Sequence, residues 1–187
     1  MRPEDILDFW FSDGMESKWC FAGPEFDQEL ITRFGEVHRQ AVAGELSDWS
    51  STRPGRLALI LLLDQFSRNI HRDQPEAYAQ DAMAFAIAQL SLRMGDDLYY
   101  KANHPPAWRG FIYVVFMHQE DLEAQRRSVE LYQTHGPEGN LNYARIHLEA
   151  IARFGRFPNR NLAMGRETTE EEQAFLDAGG ISWVPAK

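Results

Sequence analysis

An all-α fold is the expectation for this chain, and three observations carry it. Apolar residues recur at helical spacing in one segment after another, and no alternating strand pattern finds a partner. Between those segments lie short breaks rich in Pro, Gly and Asn. The stretch from Leu57 to Arg72 is apolar on every side in its first half, the pattern of a helix wrapped by neighbours. At 187 residues the chain suits one domain spanning 1–187, with a core of its own. About eight helices in stacked antiparallel hairpins are predicted.

The first helix opens at Pro3, followed by Glu4 and Asp5, because proline tolerates a first turn and acids suit its positive end. Ile6, Phe9 and Trp10 form its apolar stripe. A loop runs from Gly14 to Gly23, and Trp19 and Phe21 within it are large enough to pin it to the body. Pro24 opens a second helix to about Ala43, with Phe26, Leu30, Phe34 and Val37 inward and Gly44 as its stop. Trp49 falls in the following linker. The central helix ends at the break 72–75, and a fourth helix is predicted from Glu76 to Met94, with Ala77, Ala84, Phe85, Ala88 and Leu92 inward. Residues 98–104 read equally as a short helix or a loop. Pro105 and Pro106 should start a helix from Ala107 to about Met117; its aromatic and β-branched run would suit a strand, but no partner strand is evident. Further helices are expected from Asp121 to Thr134 and from Asn140 to Phe154, followed by a turn at 155–161. Thr168 or Thr169, with Glu171 or Glu172 three residues on, should cap a last helix ending near Ala178.

Hydrophobic residues at 44% and charged residues at 25% are globular proportions. A net charge of -9 argues against a nucleic-acid partner, since neutralising phosphates needs a basic surface. The apolar run Leu57 to Leu63 is far shorter than the roughly 20 residues of a membrane span. The acids near Met1 do not suit a signal peptide, and the single Cys20 fits a reducing compartment. A cytoplasmic protein without membrane association is the expectation.

Function is sought among polar residues that helical arithmetic turns inward. Asp64 shares the face of Leu57 and Ile60; His118 shares that of Phe111 and Val114; His147 shares that of Ala144 and Ile151. These three titratable groups, from separate helices, are the candidate catalytic residues. Gln65, Arg68, Asn69, Glu120, Arg156, Arg160 and Asn161 are the candidate ligand-binding residues. Each has a structural counterpart: Asp64 and Arg68 form an ordinary i,i+4 pair, a buried histidine commonly bonds a backbone carbonyl, and Arg156 and Arg160 can cap helix ends. Together, ionisable groups converging from distant segments point to a site.

A metal centre is not predicted and no cofactor is invoked: His118, His147, Asp64, Glu120 and Asp121 supply suitable atoms, but no His-Glu-x-x-His motif or cysteine cluster appears. Ser67 lacks the flanking glycines of a nucleophile elbow, and no phosphate-binding glycine loop is present. An Asp and His pair doing acid/base work on an anion held by arginines is the better chemistry, because guanidinium forks match carboxylate and phosphate oxygens.

Three stretches carry a family resemblance: Leu63-Asp-Gln-Phe-Ser-Arg-Asn-Ile-His-Arg72; Met117-His-Gln-Glu-Asp-Leu122 with Gln125; and His147 through Phe154-Gly-Arg-Phe-Pro-Asn-Arg-Asn161, with Leu162, Gly165, Arg166, Thr169 and Glu171. With Ile6-Leu7-Asp8-Phe9-Trp10-Phe11, Trp19 and Phe21, they resemble the bacterial family of domain of unknown function 924 over essentially the whole chain. The resemblance implies a tetratricopeptide-like right-handed superhelix and hands over no activity. Asn159 stands where members often carry His, and Val-Phe-Met precedes His118 where Pro-Leu-Met is more usual, which weakens any mechanism needing three histidines. Two functions follow as expectations. One is a buried pocket for a small anionic molecule, with acid/base chemistry; the other is a scaffold binding a protein or peptide in a concave groove without catalysis.

Overall fold

A computed structural model of the chain describes residues 1–19, 23–137 and 139–181, so the expectation for Phe21 and the single Cys20 lie outside the described residues. The described residues form nine helices and no strand. Helix α1 is Pro3–Trp10 and α2 is Pro24–Val42. Helix α3 is a continuous rod made of Arg53–Ile60, a π-helical stretch Leu61–Phe66 and a last turn Ser67–Ile70. Then come α4 (Asp81–Arg93), α5 (Asp96–Asn103), α6 (Pro106–Met117), α7 (Leu122–His135), α8 (Asn140–Phe154) and α9 (Glu170–Asp177).

The rod is the centre of the molecule. Residues Leu57, Ile60, Leu61, Leu62 and Leu63 have no exposed surface, and α1, α2, α4 and α6 pack around them. Helices α6, α7 and α8 pack in chain order, α6 on α7 and α7 on α8. Proline opens α1, α2 and α6 within their first turns, as its fixed φ favours. Gly155, at φ 68°, closes α8 in the left-handed conformation that costs glycine least.

Two boundaries differ from expectation. The rod begins earlier, at Arg53, because Thr52 Oγ1 accepts from the Gly55 amide and caps it. The fourth helix begins at Asp81 rather than Glu76: residues Pro75–Ala77 make a separate short 3-10 turn, although Ala77 is buried as predicted. The undecided stretch is helical through Asn103 as part of α5, and His104 is its extended cap. Helix α6 stops at Met117, as expected, and His118 is its capping residue.

The π-helical stretch has no counterpart in the sequence reading and explains much of the polar content of the rod. Such a stretch disturbs the regular i→i−4 ladder and leaves carbonyls to be satisfied otherwise. Here side chains do so: Ser67 Oγ donates to Leu62 O, Arg68 Nη1 to Asp64 O and Asn69 Nδ2 to Gln65 O. Ser67 is fully buried, and its Oγ also lies 2.9 Å from His38 Nε2.

Candidate functional site

Asp64 projects from the π-helical stretch with no exposed surface. Its carboxylate meets His118 Nδ1 at 2.8 and 3.0 Å, Arg68 Nη1 at 2.9 Å and the donating Gln65 Nε2 at 2.6 Å. Burial by itself would raise the carboxyl; Arg68 and then His118 outweigh it and hold Asp64 well below the ordinary carboxylate range. Burial, reinforced by Arg68, pushes His118 downward against the pull of Asp64. The ring is therefore neutral at pH 7. A neutral imidazole facing an ionised carboxylate through Nδ1 carries its proton there, which makes Nε2 the basic atom.

The backbone of His118 is held as firmly as its ring. Gln125 Nε2 donates to Met117 O and Gln119 O, each at 2.7 Å, satisfying carbonyls at the end of α6. Arg160 Nη2 donates to His118 O at 2.8 Å. Arg160 Nη1 and Arg68 converge on one carboxylate, Asp81, at 3.0 Å and at 2.9 and 3.1 Å. Both guanidinium groups lie over the Tyr78 ring, at 4.6 Å for Arg160 and 5.6 Å for Arg68. Burial and then repulsion from Arg68 lower the pKa of Arg160.

Next to this cluster is a cavity of about 550 Å³. The end of α3, one face of α6, α7, α8 and the turn after α8 enclose it, contributing Gln65, Arg68 and Asn69, His118, Tyr132, His147, and Phe157 with Arg160. Arg68, Arg72 and Arg160 line the cavity, whereas their carboxylate partners Asp64, Asp27 and Asp81 do not. Asp73 is the single acid among the described lining residues.

The structure thus brings Asp64, His118, Gln65, Arg68, Asn69 and Arg160 together, and sets His147 on the same cavity. His147 Nδ1 donates to Tyr143 O at 2.8 Å, the backbone bond of a structural histidine, and burial pushes its pKa down to about 3. Glu120, Arg156 and Asn161 do not line the cavity. Glu120 accepts from the Phe157 amide at 2.8 Å and from Arg166; Arg156 pairs with Glu172 at 2.6 and 2.8 Å; Asn161 Nδ2 donates to Thr168 and to Glu172 at 3.3 Å. Those three fasten the 155–169 segment so that Phe157 and Arg160 reach the cavity. Among the described residues no group of three His, Cys, Asp or Glu side chains is placed to hold a metal ion, and no helix is long and apolar enough to cross a membrane.

Sequence reasoning missed Asp81, Tyr78 and Arg72. Asp81 reads as an ordinary acid opening a helix, and Tyr78 sits in a turn without periodicity, so neither carries a local signal. Arg72 lies one helical turn beyond Arg68, which was signal enough to place it with the others.

No match was found among curated proteins. Among solved structures, the chain is similar to a protein of unknown function from Agrobacterium tumefaciens, with 39% identity, a TM-score of 0.86, and coverage of 95% of this chain and 97% of that one. The family model described as bacterial protein of unknown function (DUF924) matches residues 6–180, and the chain belongs to that family.

Proposed function

We propose that the cavity receives a small anionic molecule, clasped by Arg68, Arg72 and Arg160, and that His118 acts on it as a general base. The observation carrying this reading is the sided arrangement of charge. Guanidinium groups form the wall, while the carboxylates that neutralise them stand behind it. An anion entering there meets cations first, in a chain whose net charge is -9. Asp64, fully buried behind the ring, is a positioning residue: it fixes the imidazole's tautomer and stabilises the charge that appears when Nε2 takes a proton. A peptide groove draws less support, because Asp64, His118 and Arg160 are buried rather than displayed along an outer face.

The test is thermal melting of the full chain at constant ionic strength, with and without inorganic phosphate or acetate, beside the Arg160→Met and Arg72→Met variants. The native protein should melt higher with at least one of these anions, and the variants should lose that shift. No shift with either anion, or an undiminished shift in both variants, contradicts the reading.

A further inference from the structure

The cavity is polarised along one helix. Ala107, Gly110, Phe111, Val114 and Met117 of α6, followed by its capping residue His118, all line it. They recur every three or four positions, so they form one stripe, and the rise of about 1.5 Å per residue makes it roughly 16 Å long. Every member before His118 is apolar or glycine. Trp19, Tyr132 and Pro137 extend that character beside the stripe, Trp19 edge-on to Phe111 and Tyr132 donating to Gly110 O.

Arg68 and Arg160 bring positive charge to the His118 end, and Arg72 and Asp73 also line the cavity. Arg160 donates to His118 O, and Arg68 contacts the carboxylate that holds the His118 ring. No lysine or arginine from α6, α7 or α8 is among the described lining residues. A cavity of about 550 Å³ also greatly exceeds what an inorganic anion fills and lies within the size range of organic ligand sites.

Resting on the anion site of the preceding section, we propose that the ligand is an elongated monocarboxylic acid. Its head lies between Arg68 and Arg160 beside His118, and its acyl or arylalkyl body runs along the α6 stripe toward Ala107. A short acid would leave that stripe unfilled. Burial of the body supplies the preference for length, and the guanidinium pair supplies the preference for a negative head.

Calorimetric titration of the full chain with octanoate, acetate and octylamine tests this directly. Octanoate should bind about tenfold or more tighter than acetate, and octylamine should not compete with it, since the apolar body adds affinity only when the head is negative. Val114→Asp, which places a charge midway along the stripe, should weaken octanoate by about tenfold or more yet retain the melting shift given by acetate or phosphate. The comparison of the three ligands on the native chain stands whether or not that variant folds. Acetate or phosphate binding with octanoate no tighter overturns the amphiphile and leaves the anion site intact. Octylamine binding as well as octanoate also overturns it. Absence of binding by every anion defeats both readings.

Discussion

His118 Nδ1 lies 2.8 Å from Asp64 Oδ1, although the two residues are 54 positions apart in the chain. The contact joins the irregular middle of α3 to the end of α6, and it commits one ring nitrogen of His118 to a buried anion. His147, by contrast, gives its Nδ1 proton to a backbone carbonyl one turn earlier. Two inward histidines of similar sequence context therefore have different chemistry: one is backed by a charge, the other is tied to its own helix.

Asp64→Asn preserves shape but removes the charge shared by Arg68 and His118. Loss of one partner from a buried ion pair costs about 3–5 kcal/mol, and because Arg68 keeps Asp81 the lower end of that range is expected. Urea unfolding measures it. Adding Arg68→Met should restore part of the loss, since Asp81 then faces one guanidinium group, Arg160, instead of two; strictly additive losses would contradict the coupling.

Acid should destabilise the protein before its carboxylates protonate. His38 and His147 are pushed down to about 4 and about 3, each chiefly by burial, and His118 is lowered as well. Unfolded histidine binds a proton below about pH 6.5, so from there downward the unfolded state holds more protons than the folded one and stability falls. The stability these neutral rings provide is complete above about pH 6.5 and is lost progressively toward the folded values. Between pH 7 and 5 His38 and His147 should each contribute a loss of about 1–2 kcal/mol, measurable by urea unfolding across that range. Asp64, whose pKa is lowered, adds a further loss only in stronger acid. A stability flat from pH 7 to 5 would contradict the buried neutral rings.

Thr169, not Thr168, is the cap of α9. Its Oγ1 accepts from the Glu172 amide at 3.2 Å, and Glu172 accepts from the Thr169 amide at 2.8 Å. Thr169→Ala should therefore cost about 1 kcal/mol in urea unfolding, as loss of a side-chain cap usually does. Thr168→Ala removes one long bond to Asn161, of 3.3 Å, and should cost less. The reverse order would contradict the capping box.

Fold class was legible in the sequence because it rests on periodicity, which local spacing carries. The bounds of α2, α6 and α8 fall within a residue or two of expectation, each marked by Pro or Gly. The π-helical stretch was not legible, since nothing in Leu61–Phe66 distinguishes five-residue from four-residue bonding. Inwardness of Asp64 and His118 followed from helical spacing, but their pairing depends on how α3 and α6 pack, which spacing does not encode. Glu120, Arg156 and Asn161 carry the residue types of a site and serve instead as ties between segments, a distinction that only their partners reveal.

The central claim is that His118 presents a neutral, basic Nε2 to a cavity that accepts an anion. Nitrogen-15 NMR of the His118 ring measures this most directly, at pH 7 and with phosphate or octanoate added. The account predicts a neutral ring protonated at Nδ1, with Nε2 resonances that move as the anion binds and a tautomer preference that weakens in Asp64→Asn. A ring protonated on both nitrogens, a proton on Nε2 instead, or resonances unmoved by phosphate and octanoate alike would contradict it.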